Sequence, residues 1–351
     1  MAFTISEIPK IQPTGPIRLV ATKSGEITLY MAQIVSARRA KPPYYDFETV
    51  LSPLGSGDNA LPATITIPQP LPISPDWDLC VTSDGAVNMA YQVFGGGWNV
   101  LQVGAVADGE VPYPYGYGVR NCGAPRFLRD SSGNGPAMAW VSFVFEYQKL
   151  GLLIPQQSPP VQGGKVAAGF LSLAEASHGV AFGDLSGGDL PGSLTLAYKI
   201  DRRTGPLSPG GLFLGKLALA DYDLTKKTLA APQPLLSGAE VGEFDAAIQE
   251  GVYCLLASTG DGAPLLAAFD GGGKSLGTPY LPFGSWNGPG RWVANPTLVA
   301  DPANSTSQML SFTIAFILYE ADAPKAIYTG NVQVSPSSGV IPFSPPAAPG
   351  A

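Results

Sequence analysis

The chain has 351 residues, of which 43 are glycine and 35 proline, with 13% charged and 45% hydrophobic residues. That balance excludes a disordered chain, which carries few apolar groups and many charges, and describes a turn-rich folded protein with ample core material. The net charge is −7 and the basic residues are scattered, with no cluster larger than Arg38-Arg39, Arg202-Arg203 or Lys226-Lys227. A nucleic-acid partner is therefore not expected, because phosphate contacts need clustered Lys and Arg.

The opening MAFTISEIPK lacks the basic start and apolar core of a secretory signal. The expected location is the cytosol, or a compartment reached by a non-Sec route. The longest apolar stretch, Met309–Tyr319, is broken by Ser311 and Thr313 and falls short of the ~18 residues of a membrane helix, so no membrane insertion is expected. Phe3 to Ile8 alternate like a strand that would pair with Ile327 to Val334. Strand patterns dominate the chain, and only Gly169–Ser177 has helical character, for a turn or two.

Along the chain one form recurs: an apolar run, a small polar turn, then a second apolar run. These units begin at Ile17, Leu79, Phe127, Val180, Val252 and Thr297, with turns at Gly25, Gly85, Gly135, Gly192, Gly262 and, less cleanly, Ser307. In the fifth unit, FDAAIQ precedes the hairpin as an additional inner strand. Gly in such turns tolerates the positive φ that a tight hairpin demands. A repeat of about 50–60 residues, each holding about four short strands, is the pattern of a β-propeller. The expected fold is all-β: a propeller of six blades over residues 1–335 as one domain, with a frayed Pro-rich tail from 336 to 351. The alternative is a pair of β-sandwiches. Pro-rich connections at Leu51–Pro75 and Ile154–Gly164 do not read as flexible linkers.

Three cysteines exclude a disulfide scaffold. Cys80 and Cys254 sit in apolar strand-like runs, whereas Cys122, in VRNCGAP, is the one to test for reactivity. The single histidine, His178, removes multi-histidine metal sites, and there is no GxSxG elbow. No metal and no cofactor are expected. Gly271-Gly-Gly-Lys274-Ser275 ends like a phosphate-binding loop, but Ala268 stands where that motif needs glycine, and a hairpin turn with a solvated lysine is the better reading. The acid pairs Asp76/Asp78 and Asp221/Asp223 lack the spacing of a calcium loop and read as turn or strand-end aspartates. Ser83-Asp84-Gly85 and Thr259-Gly260-Asp261-Gly262 are similar to the beginning of the turn repeated in sialidase-type propellers, without its Thr-Trp ending. That likeness is too short to give a family.

Two sets of residues are candidates for function. The segments that open each unit carry Asp76 and Trp77, Arg126 and Arg129, Glu175 and His178, Glu243 and Asp245, and Arg291, Trp292 and Asn295. Acids, arginines and aromatics converging on one end of a propeller channel suit a polar ligand; inter-blade ion pairs are the plainer alternative. The second set is aromatic loops: PPYYDF with Tyr44 and Tyr45, PYPYGYG with Tyr113, Tyr115 and Tyr117, and Tyr280–Trp292 with Trp286. Rigid Tyr and Trp present large contact area at low entropy cost. The leading expectation is a non-catalytic module that binds glycans or a protein partner through these loops. A second is a glycoside hydrolase or lyase using Glu243, Asp245, Asp76 and Glu175, helped by His178 and Arg126, with Glu243 as general acid beside apolar Phe244. A third is a building block or cargo of a larger assembly, with oligomeric state open.

Overall fold

The computed structural model describes residues 5–22, 25–36, 47–54, 63–67, 77–82, 85–95, 98–111, 115–120, 122–130, 141–145, 149–155, 166–171, 176–183, 193–200, 211–218, 230–237, 241–280 and 290–343. A short strand, β1 (Ser6–Glu7), precedes sheet I, built from β2 (Ile17–Ala21), β3 (Ile27–Ser36), β4 (Phe47–Leu54) and β5 (Ile65–Ile67). Sheet II holds β6 (Trp77–Val81), β7 (Val87–Gly95), β8 (Trp98–Ala105) and β9 (Tyr115–Arg120). Sheet III holds β10 (Cys122–Phe127), β12 (Val141–Phe145), β13 (Lys149–Pro155) and β14 (Val166–Leu171), with β11 (Arg129–Asp130) leaving it to pair with the next sheet. Sheet IV holds β15 (Ala176–Gly183), β16 (Ser193–Ile200), β17 (Gly211–Ala218) and β18 (Ala230–Ser237). Sheet V holds β19 (Val241–Gln249), β20 (Val252–Thr259) and β21 (Pro264–Phe269). Sheet VI holds β22 (Arg291–Ala300), β23 (Leu310–Glu320), β24 (Ala323–Ser335) and β25 (Gly339–Val340), and takes β1 as its outer strand.

The first strands β2, β6, β10, β15, β19 and β22 each touch the next, and β22 touches β2. A ring of sheets around a central axis is a β-propeller, and it removes the pair of β-sandwiches from consideration. The expected ring of six four-stranded blades is not supported. Among the described residues five sheets have four strands or more and sheet V has three. After the turn at Asp270–Lys274 the chain meets β21 only at isolated points: Ser275 bridges Phe269, Leu276 N–H donates to Ala268 O at 2.8 Å, and Tyr280, next to Pro279, bridges Leu266. Proline has no N–H to extend a ladder.

The ring closes as the alternation at Phe3–Ile8 predicts, with Ser6 opposite Thr329 and Glu7 opposite Tyr328. This covers a sheet edge that would otherwise template aggregation. The helical reading of Gly169–Ser177 does not hold at its described ends. Residues 169–171 lie in β14 and 176–177 in β15, where pairing with β13 and β16 satisfies the backbone, and residues 172–175 lie outside the described residues. The tail expected to fray from 336 is ordered through 343: Ser335 and Val334 pair with Gly339 and Val340, and Phe343 packs edge-on against Tyr280 at 5.3 Å. The Gly-rich 271–275 segment is a turn whose Asp270 side chain accepts from Gly272 and Lys274 N–H groups, leaving Lys274 in solvent.

One turn is built three times. In Thr22–Glu26, Thr82–Ala86 and Thr259–Ala263 the threonine N–H donates to the carbonyl four residues on, and the glycine N–H returns to the threonine carbonyl. Gly25, Gly85 and Gly262 have φ of 87°, 85° and 88°, the left-handed region where a Cβ is strained. The first two turns join the first and second strands of their sheets. The third joins the second and third strands of sheet V, because Glu250-Gly251 inserts an earlier hairpin. It therefore lies at the opposite end of the ring, beside the start of β22.

Candidate functional site

The axis is filled by charge. Arg18, Asp78, Arg126 and Asp245 are 1%, 4%, 5% and 0% exposed. Asp78 accepts the Phe127 N–H at 2.9 Å, Asp245 the Leu298 N–H at 2.8 Å, and Thr297 Oγ1 the Leu19 N–H at 3.0 Å. Asp78, Asp245 and Thr297 thus latch the inner strand of their own sheet to that of a neighbour. Arg18 cannot accept and instead donates to the carbonyls of Trp77 at 3.4 Å and Pro296 at 3.3 Å. Burial, then the charge of Arg126, bring its pKa down to about 10, while Asp245, Asp78 and Glu243 oppose that shift. Arg18 stays cationic at neutral pH.

Asp245 is engaged from all sides. It pairs with Arg129 at 3.0 Å, and its oxygens also accept the Ala246 and Leu298 N–H groups. Arg129 donates further to the carbonyls of Ala246 and Leu298. Asp78, Asp245 and Arg129 are therefore inter-sheet ties, and Asp78 is buried at the start of β6, the strand-end member of its two readings. Next to them lies a cavity of about 90 Å³ walled by Leu19, Leu79, Val81, Phe127, Ile248 and Val299. Burial raises the thiols of Cys80, well above the ordinary range, and Cys254, to about 12, so both are unreactive in the native state.

A different part of the ring holds an open cleft of about 720 Å³ between sheets V and VI. Its walls are Gly242 and Glu243 from β19, Ser258–Gly262 from the displaced turn, and Gly290–Val293 from the start of β22. Trp292 is 37% exposed. Its ring stacks on Tyr319 with centroids 4.2 Å apart and planes 19° from parallel. Arg291 donates from Nε and Nη2 to Oε1 of Glu320, at 3.0 and 2.8 Å, and Lys325 approaches the other oxygen at 3.5 Å. Glu243 Oε2 accepts the Asn295 N–H at 2.6 Å. Thr259 Oγ1 donates to Asp261, and Val293 N–H to Gly262 O at 2.8 Å. Burial, then the nearby Glu243 charge, raise the pKa of Tyr319.

Gly262 sets how closely the turn approaches β22. A Cβ there would stand 2.4 Å from Trp292 Cβ, on a backbone already at φ 88°. Gly262→Ala is expected to destabilise by about 1–3 kcal/mol and to push Trp292 out of position. Urea denaturation and tryptophan fluorescence check both. The Arg291–Glu320 pair gives a pH expectation. The Arg291 hydrogen bond and charge, then Lys325, hold the Glu320 carboxyl below its ordinary 4.5. Its contribution is complete above pH 4.5 and is lost as pH falls through the lower native value. An NMR titration of Glu320, repeated in Arg291→Met, checks it: the variant returns the carboxyl toward 4.5.

The structure brings together Glu243, Arg291 and Trp292 of the residues singled out from sequence, and adds Asp261. Arg126 and Asp245 stand apart on the axis. His178 lies half-buried in β15, opposite Lys199. Tyr115 and Tyr117 lie two apart in β9 at the outer edge of sheet II, a strand rather than a loop. Tyr44, Tyr45, Asp76, Tyr113, Glu175 and Trp286 lie outside the described residues, as do the side chains of Tyr115, Tyr117 and Cys122. Among the described residues no three His, Cys, Asp or Glu side chains cluster to hold a metal ion. No described helix is long and apolar enough to cross a membrane.

No protein-family model matches the sequence, and no curated protein does. Among solved structures the chain is similar to prolyl oligopeptidase B from Galerina marginata, at 11% identity and TM-score 0.37, over 86% of this chain but only 38% of that one. It is similar to the SapL1 lectin in complex with α-methyl fucoside at 13% identity and TM-score 0.45, covering 99% and 100% of the two chains. A third is a subtype N10 neuraminidase-like protein of A/little yellow-shouldered bat/Guatemala/060/2010, at 10% identity and TM-score 0.46, covering 94% and 98%.

Proposed function

We propose that the protein is a non-catalytic, lectin-like propeller whose glycan site is the cleft between sheets V and VI. The observation that carries this reading is the joint presence, in one open cleft, of an exposed indole backed by Tyr319 and of polar side chains anchored by the fold. A sugar ring stacks its C–H face on an indole, while its hydroxyls need fixed polar partners around the rim. Trp292 supplies the platform; Glu243, Asp261 and Arg291 supply the partners. Glu243 is held by a backbone N–H and Arg291 by Glu320, so both are positioned before a ligand arrives, which lowers the entropy cost of binding.

Hydrolysis draws less support. Of the acids paired with Glu243 from the sequence, Asp245 is fully buried and committed to Arg129 and two backbone donors, so that pair does not supply the two free carboxyls hydrolysis needs. The test is a glycan array probed with the wild type, Trp292→Ala and the Tyr113/Tyr115/Tyr117 triple alanine variant. Binding lost in Trp292→Ala and kept in the triple variant supports the cleft. The reverse outcome moves the site to sheet II. Silence from all three removes the glycan reading in favour of a protein partner or a role in an assembly.

A further inference from the structure

The face that sheet VI turns toward sheet I changes character along its strands. Successive cross-strand pairs on that face are Ile317 with Ile327, Ala315 with Thr329, and Thr313 with Asn331. Ala315, Ile317 and Ile327 pack into a core with Ile17, Leu19 and Leu29 of sheet I. Where threonine and asparagine take over, a cleft of about 370 Å³ opens between the two sheets. Two residues beyond Thr313 on the same face, the Ser311 hydroxyl is buried without a hydrogen-bond partner. A face between sheets that carries so many hydrogen-bonding groups is costly unless something bonds to them.

One wall of the cleft is polar. Asp301, 3% exposed, accepts the Asn304 N–H at 3.3 Å, Asn304 Nδ2 at 2.9 Å and Asn331 Nδ2 at 3.2 Å. Thr313 Oγ1 donates to Asn331 Oδ1 at 2.9 Å, and Thr329 Oγ1 to Ile314 O at 3.0 Å. These bonds set the side chains in place without exhausting them. Each amide keeps its second N–H, Asn304 keeps its carbonyl oxygen, and the carboxylate keeps one of about four acceptor positions. The opposite wall, with Ile8, Ile27, Leu29 and Leu54, is aliphatic.

We propose that this cleft is a second saccharide site, which holds a neutral sugar by a vicinal diol. A pyranose has an apolar C–H face for the aliphatic wall and a hydroxyl edge for the polar one. A hydrocarbon would take water from the polar wall without replacing its bonds, and a simple ion would leave the aliphatic wall unused. A hydroxyl both donates and accepts, so two adjacent ones give a hydrogen bond to Asp301 and take one from an asparagine N–H. β22 begins in the Trp292 cleft and ends beside Asp301, a strand length of about 30 Å, so one copy of the chain holds two sugars at opposite ends of sheet VI. The inference extends the glycan reading above to a second place, where a separate signal reports it.

The test is methyl NMR of protein labelled at its isoleucine δ1 methyls, with Ile8 and Ile27 assigned through Ile8→Val and Ile27→Val. The probes are glucose, galactose, mannose, both isomers of 1,2-cyclohexanediol, and cyclohexanol. The expected result is a saturable shift of both methyls with at least one hexose, and binding of the better diol at least tenfold tighter than that of cyclohexanol. Trp292→Ala leaves those shifts in place. Asn304→Ala, at an exposed position, and Thr313→Val, which keeps its shape but no longer holds the Asn331 amide, each weaken binding at least fivefold. Cyclohexanol bound as tightly as the diol overturns the proposal, as does an unchanged midpoint in both variants or no methyl shift with any probe. Tryptophan fluorescence, with Trp292→Ala as its control, reads the other cleft in the same titrations. A Trp292 response with silent Ile8 and Ile27 leaves the glycan reading standing and sinks only this one. Methyl shifts with a silent Trp292 keep this site and remove the other.

Discussion

Asp245→Ala is expected to lower the stability of the protein by about 3–5 kcal/mol, the range for breaking a buried ion pair by removing one partner. The side chain is fully buried and answers three donors at once: Arg129, its own Ala246 N–H, and the Leu298 N–H of the neighbouring sheet. Alanine leaves a guanidinium in the interior with one ionic partner fewer, and orphans a backbone donor on β22. Arg18 loses one of the charges that keep it protonated in a fully buried place. Asp245→Asn keeps an acceptor for Leu298 and loses the charge, so it is expected to fall between alanine and wild type. Urea denaturation decides the matter; a loss under about 1 kcal/mol for alanine would show that the latch is not holding sheets V and VI together.

Trp292→Ala is expected to weaken glycan binding by about 30-fold or more, the effect of losing a hot-spot aromatic worth at least ~2 kcal/mol. The cost to folding is smaller. Trp292 is 37% exposed, and its stack on Tyr319 at 4.2 Å is worth about 0.5–1.5 kcal/mol. Trp292→Phe keeps a stacking face and is expected to retain part of the affinity. Isothermal titration against the sugar identified on the array, alongside a thermal melt, separates the two effects. Unchanged affinity with Trp292 removed would take the site away from this cleft.

Most of the architecture was legible in the chain because hairpins are local. The Thr-x-x-Gly turns at Gly25, Gly85 and Gly262 need only their own five residues to close, so their spacing announces a repeat. What the spacing hid is which strands each turn joins. Gly262 has the same turn geometry as Gly25, yet an extra hairpin at Glu250-Gly251 carries it to the other end of the ring. The isolated pairing beyond β21 was hidden too, since nothing before folding says that Ser275 and Tyr280 will bridge back to it while the residues between do not form a strand. The ends of Gly169–Ser177 went the other way: residues 169–171 and 176–177 took strand partners that lie outside the segment.

The site divides along the same line. Residue types and their clustering at the openings of the units are properties of the chain itself, and Glu243, Asp245, Arg291 and Trp292 stand out there without any coordinates. Their roles are not. Asp245 and Glu243 are two residues apart in one strand, but only the packing of β22 against β19 makes the first a buried latch and the second a wall of an open cleft. Asp261 joins that cleft through a turn that is 30 residues away from Arg291 in sequence and reaches β22 by the Val293 N–H bond to Gly262. The sequence by itself determined an all-β chain of repeated hairpins, because turn chemistry and alternation act over a few residues. The tertiary structure alone decided which charges are buried, because burial and pairing depend on neighbours that lie far along the chain and meet only when the ring closes.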